Sequence, residues 1–180
     1  MTGAELVVLV TPDGTPCGVA DKATVHTTET PLHLAFSCHV LDAQGRVLVT
    51  RRALSKATWP GVWTNSVCGH PGPGEPMVDA VRRRARDELG VEVTDVDLVL
   101  PDFRYRAVDA SGVVEHEICP VFTARLAAGS APAPNPAEVM DHAWVDPTDL
   151  GRAIAAAPWA LSPWLVLSAP DLALLAPGEP

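Results

Sequence analysis

A chain of 180 residues, 47% of them apolar and carrying a net charge of -9, has the length of one domain and enough apolar side chains for a substantial core. No run of about 18 apolar residues occurs, and MTGAELVVLV lacks the basic region and cleavage site of a secretory leader, so a cytoplasmic protein without a membrane partner is expected. The acidic balance disfavours nonspecific nucleic-acid binding, and Cys17, Cys38, Cys68 and Cys119 are too scattered to form a CxxC pair, so they are read as reduced thiols.

In chain order, residues 5–10, 34–41, 47–52 and 62–67 carry strand patterns, with Asp42, Gln44 and Gly45 supplying turn chemistry between the second and third. The period changes over 75–89. Pro76 suits a first helical turn, Met77, Val81, Ala85 and Leu89 form an apolar stripe, and Gly90 suits the stop. Residues 98–107, 113–126 and 139–145 read as strands, and 150–157 and 162–175 as helices interrupted by prolines. The low-complexity stretch 127–137 is expected to be an exposed connection and the PGEP end to fray, leaving one α/β domain with its core over about 5–168.

Ten of the 13 basic residues fall between Arg46 and Arg106, a concentration suited to a compact anion. Arg82, Arg83, Arg84 and Arg86 also fit a solvated helix face, whereas Arg51, Arg52 and Lys56 are more suggestive of a ligand site. On the strand over 113–122, Glu115 and Glu117 are two apart and share a side, with His116 facing away. Adjacent carboxylates in a half-buried strand call for a cation or a raised pKa. Cys68 and His70 are likewise two apart, with Gly69 between them allowing close approach. With His26 and His33 upstream, three imidazoles and two carboxylates make a plausible nitrogen and oxygen set for Mn²⁺, Mg²⁺ or Zn²⁺. His39, His116 and His142 are read as ordinary surface or core histidines, and Trp59 and Trp63 as packing residues.

Residues 69–91 have the spacing of a Nudix box: Gly69, Glu75, Arg83, then Asp87-Glu88-Leu89-Gly90-Val91. They depart from it at Arg84 and Asp87, where a diphosphate hydrolase of that class places metal-binding glutamates, so Glu88 alone keeps a ligand role. An Arg84 to Glu88 ion pair is the plain alternative for that glutamate. The stretches RRALSKATWPGVWTNSVCGHP, DFRYRA, EHEICPVF, EVMDHAW and PWALSPW then resemble type 1 isopentenyl-diphosphate isomerases, from about Lys22 to Trp164.

The resemblance implies a Nudix-type α/β sandwich, a mixed sheet flanked by helices; a monomer is expected, though no residue pattern sets the oligomeric state. It implies that His26, His33, His70, Glu115 and Glu117 ligate manganese, zinc or magnesium. Glu88 and the Cys68 carbonyl would hold Mg²⁺ on the substrate diphosphate, and Lys22, Arg52, Lys56 and Arg84 would contact the phosphates. Cys68 and Glu117 would move protons on opposite faces of isopentenyl diphosphate, with Tyr105 beside the glutamate and Trp164 offering a π face to a carbocation. Two other readings remain: a Nudix hydrolase, which needs more helix glutamates, and a noncatalytic metal-stabilised binding module, which has no use for Cys68 facing Glu117.

Overall fold

The computed structural model describes residues 5–176, and the expected fraying at 177–180 lies outside them. Among the described residues the strands are β1 (Leu6–Val10), β2 (Pro16–Asp21), β3 (His33–Leu34), β4 (Phe36–Leu41), β5 (Val47–Arg52), β6 (Trp63–Thr64), β7 (Val67–Gly69), β8 (Val93–Leu100), β9 (Arg104–Val108), β10 (Val114–Ile118), β11 (Val121–Leu126) and β12 (Val139–Val145). The helices are α1 (Met77–Leu89), α2 (Pro147–Ala156) and α3 (Pro163–Ser168). One sheet has the order β2-β1-β3-β10-β9. The second has the order β12-β5-β4-β11-β8, with β6 on β5 and β7 on β4.

Two segments expected as single strands, 34–41 and 113–126, are each broken, and the breaks build the site. Pro120 has no N–H to donate, so the ladder cannot run through it, and β10 ends at Ile118 while β11 begins at Val121. Ala35 breaks β3 from β4 at the same level. The Ala35 N–H donates to Ile118 O (2.9 Å) and the Ser37 N–H to Pro120 O (3.1 Å), so the two breaks are stitched together. Both segments thereby cross from the first sheet to the second, pairing in parallel before the crossing (β3 with β10) and after it (β4 with β11).

The second sheet is covered on both faces, and β5 shows why. Its residues alternate, Leu48 packing with Val81, Ala85 and Leu89 of α1, and Val47 and Val49 packing with Leu150, Ile154 and Leu165 of α2 and α3. The apolar stripe of α1 is the one read from the sequence. Pro76 sits at the N-cap with an extended ψ of 138° rather than inside the first turn, and Gly90 closes the helix at φ 65°, its N–H reaching Ala85 O and Arg86 O.

Other boundaries differ for local reasons. β2 was not expected, because Pro16, Cys17 and Gly18 carry little strand propensity and the strand lies exposed along β1. The strand expected over 98–107 is two strands, β8 and β9, turned at residues 101–103. The helix expected over 162–175 stops at Ser168 before Pro170, and single 3₁₀ turns carry the chain to Leu175, which is buried. Residues 127–137 are irregular, but the Ala133 and Asn135 N–H groups donate to Leu89 O (2.8 Å) and Glu88 O (2.9 Å), satisfying carbonyls at the end of α1. No described helix is long and apolar enough to cross a membrane.

His39 on β4 is 1% exposed, its Nδ1 lacks a hydrogen-bond partner, and burial pushes its pKa down to about 4. The folded state therefore holds it neutral, while the unfolded chain takes up a proton near 6.5. Its contribution is present above pH 6.5 and is lost as pH falls toward 4. Chemical denaturation at pH 7.5 and pH 5 should show the native protein losing about 2 kcal/mol more than His39→Gln over that interval. Parallel losses in the two proteins would refute this.

Candidate active site

Strand register sets the first half of the site. Glu117 on β10 is paired with His33 on β3 in parallel and with Tyr105 on β9 in antiparallel, so all three point to one side. Tyr105 donates to Glu117 Oε2 at 2.9 Å, and the Nε2 atoms of His33 and His70 lie 3.4 and 3.1 Å from Glu117 Oε1. Glu115, one residue pair along the same face, accepts from Thr58 Oγ1 at 2.6 Å. His116 faces the other way and is half-exposed, as the two-residue period requires.

The second sheet supplies the other half. Cys68 on β7 lies opposite Ser37 on β4, and Gly69 must be glycine: a Cβ there would sit 2.7 Å from Arg84 Cγ and 3.1 Å from the Phe36 ring. Between the two halves lies a cavity of about 270 Å³, of a size suited to a compact ligand. Every residue to which the resemblance gives a catalytic, metal or phosphate role lines it except His33, which lies fully buried behind.

Four of the five expected metal ligands, His26, His33, His70 and Glu117, bring ligand atoms to within 4.8 Å of one another. His33 Nδ1 is 2.9 Å from the Pro31 carbonyl, which can only accept, so that nitrogen carries the proton and Nε2 turns a lone pair inward. That lone pair faces His70 Nε2 at 3.2 Å. His26 Nε2 and Glu115 Oε2 are 3.2 Å apart and buried, yet neither has a hydrogen-bond partner among the described residues. An inward lone pair, orphaned buried polar atoms and a mixed nitrogen and oxygen set fit a divalent cation. Glu115 stands at the edge of this group, reaching it through His26.

The charges agree with that arrangement. Burial alone would raise the pKa of Glu117, but the neighbouring His33 imidazole and the hydrogen bond with His70 hold it well below the usual carboxylate range. Burial and the charge of Glu117 push Glu115 up. Burial takes His70 down to about 4, leaving it neutral and able to ligate, and carries the Tyr105 phenol well above its ordinary value. Burial also pushes the Cys68 thiol up to about 11, so the resting site pairs a protonated thiol with an ionised Glu117.

At the far end of the cavity Lys22, Lys56 and Arg84 gather, each already holding a carboxylate. Lys22 reaches Glu5 at 3.0 Å, Lys56 pairs with Glu138, and Arg84 pairs with Glu88 and lies 3.5 Å from Glu138. The helix ion pair between Arg84 and Glu88 thus forms, facing the cavity. Arg52 is partly committed, donating to Thr58 O at 2.8 Å through Nη2 and lying 5.3 Å from the centre of the Trp164 ring. Arg51 instead donates to Gly61 O outside the cavity. Arg83 grips Glu75 with two 2.8 Å bonds and the His70 carbonyl at 3.1 Å, so this pair of the Nudix box braces the turn entering α1. Asp87 points to solvent near Arg83. Arg82 and Arg86 lie on the solvated face, Trp59 packs edge-on against Trp164, and Trp63 packs on the α3 side.

Sequence reasoning passed over Thr58, which fixes both Glu115 and Arg52, and Glu138, which neutralises the cationic end. The position of Glu138 at the head of EVMDHAW was the available signal. Thr58 had none, since its role depends on a loop folding back onto β10.

A NUDIX domain model matches residues 31–165. Among curated proteins the chain is similar to "Isopentenyl-diphosphate Delta-isomerase" from Agromyces mediolanus, 64% identical over 97% of this chain and 84% of that one. Proteins of the same name from Clavibacter michiganensis (65% identical, 93% of this chain and 86% of that one) and Corynebacterium glutamicum strain ATCC 13032 (58%, 95% and 93%) are also similar. Among solved structures, a Deinococcus radiodurans protein matches at a TM-score of 0.63 and 23% identity, covering 84% of this chain and 90% of that one. A MutT Nudix hydrolase from Burkholderia pseudomallei matches at 0.58 and 21%, covering 78% and 98%. At these identities the two structures show the shared fold.

Proposed function

The chain belongs to the isopentenyl-diphosphate Δ-isomerase family, on a Nudix domain, and on that premise we propose that Cys68 and Glu117 are its opposed proton-transfer groups. The reaction moves the double bond of isopentenyl diphosphate to give dimethylallyl diphosphate. One observation carries the assignment: Cys68 from the second sheet and Glu117 from the first line one cavity, to which α1 presents Glu88 as its lone carboxylate, set against Arg84.

An unactivated alkene is a very weak base, so one group must deliver a proton in a water-poor pocket while the other removes one from the neighbouring carbon. Tyr105, held as the phenol, donates to Glu117 and fixes its direction. Trp164 offers its ring to the tertiary cation between the two steps. Lys22, Lys56 and Arg84, with the free edge of Arg52, bind the diphosphate, which would displace carboxylates such as Glu138 from their cations. Glu88 and the Cys68 carbonyl would hold Mg²⁺ on that diphosphate. A divalent cation on His26, His33, His70 and Glu117, flanked by Glu115, would supply positive charge that makes the Glu117 carboxyl a stronger acid. Manganese, zinc or magnesium fills that role in this reading, and the protein works as a cytoplasmic monomer.

Arg84 where a hydrolase of this fold carries a metal-binding glutamate favours gripping the diphosphate over cutting it. With isopentenyl diphosphate and Mg²⁺, ³¹P spectra should keep both diphosphate signals while the alkene protons change. Growth of inorganic phosphate without isomerisation would overturn the proposal.

A further inference from the structure

Asn65 sits in the loop between β6 and β7, 1% exposed, and plays no part in the chemistry above. Its Nδ2 donates to Cys38 O (3.1 Å) and Val67 O (2.9 Å). Those two carbonyls fix the amide, because a flipped side chain would set oxygen against oxygen. Oδ1 is therefore aimed the other way, where it accepts from the Trp164 indole Nε1–H (2.9 Å), the Cys68 thiol (3.2 Å) and Thr64 Oγ1 (2.8 Å). Thr64 Oγ1 lies 2.7 Å from Ser162 Oγ, at the start of α3, and Asn65 O accepts from Thr50 Oγ1 at 2.8 Å.

Cys68 and Trp164 are 96 positions apart in the chain and come from different elements, β7 and α3. Nothing in strand register relates them. One buried amide oxygen does, and it is anchored to β4, β5 and β7 through hydrogen bonds that leave it a single orientation.

We propose that Asn65 is a positioning residue for the isomerisation, its Oδ1 setting the Cys68 sulfur and the Trp164 ring in one fixed relation to the substrate alkene. A proton must reach one carbon while an aromatic face lies against its neighbour, and misplacement of either by an ångström costs rate rather than binding, because the diphosphate is held at the other end of the cavity. Without the acceptor, the buried indole N–H is left unpaired and the ring turns to find another partner. The inference rests on the reading of Cys68 and Trp164 as substrate-facing groups.

Asn65→Ala in the full chain should lower kcat about 10²-fold with KM for isopentenyl diphosphate within about threefold of the native value. In ¹H–¹⁵N spectra, the Trp164 indole signal, identified by its loss in Trp164→Phe, should shift upfield while the other four tryptophans hold their positions. Adding Trp164→Phe to Asn65→Ala should cost less than the product of the single effects. A purely structural role would lower thermal stability and move several indole signals, with kcat per folded molecule preserved. Should Asn65→Ala fail to fold, Asn65→Ser is judged by the same readouts. Native kcat in a folded Asn65 variant, or an unmoved Trp164 signal, would overturn the proposal. Cys68→Ala with native turnover would defeat the underlying active-site reading, whereas an inactive Cys68→Ala beside a fully active Asn65→Ala would defeat this inference alone.

Discussion

Cys68→Ala is expected to lower kcat by about 10³-fold or more, with KM within about threefold and metal content unchanged. The sulfur makes two weak hydrogen bonds, to Ser37 and Asn65, and packs only at the edge of the small cluster around Tyr105, Cys119 and Trp164. Its removal therefore leaves little behind but a small void, and thermal unfolding should move by no more than a few degrees. The thiol makes no hydrogen bond to the cations of the diphosphate end or to the histidine group, so binding and metal should persist while the proton transfer proposed for it is lost. A folded, metal-replete Cys68→Ala retaining more than about a tenth of native kcat would remove Cys68 from the chemistry.

Glu117→Gln should be equally inactive and differ in kind. Glu117 Oε1 lies against two imidazoles and Oε2 accepts from Tyr105, so the proposed metal and proton-transfer roles fall on one carboxylate. The amide keeps the shape but loses the charge and the capacity to take up and release a proton. Metal retained after dialysis should fall by about an order of magnitude or more, while kcat falls by about 10³-fold or more. Saturating metal should restore occupancy without restoring turnover. Recovery of turnover under saturating metal would make Glu117 a ligand only. The two variants thus separate the roles, since one loses rate with its metal intact and the other loses both.

Much of this was legible in the sequence because local periodicity carries it. The two-residue period placed Glu115 with Glu117 and Cys68 with His70, and the stripe ending at Gly90 placed α1, including the i, i+4 pair Arg84 and Glu88. What periodicity cannot carry is pairing between distant segments. The register that sets His33 and Tyr105 beside Glu117 depends on β3, β9 and β10 meeting, and on the crossing at Ala35 and Pro120 that single-strand readings of 34–41 and 113–126 concealed. Loop residues were least legible. Thr58 and Asn65 act through one side chain each, on partners 57 and 99 positions away, Glu115 and Trp164. No propensity or spacing marks such contacts in advance.

On the proposed assignment two groups, on opposite sides of the alkene, add and remove different protons. The reaction of isopentenyl diphosphate in D₂O with Mg²⁺, followed by proton NMR from the first turnover, distinguishes this from transfer by a single group. Two separate groups that exchange with solvent place deuterium in the new methyl group of dimethylallyl diphosphate from the outset, with the diphosphate intact. Dimethylallyl diphosphate formed with no solvent deuterium would mean that one group carries the same proton between carbons, and would contradict the division of labour between Cys68 and Glu117.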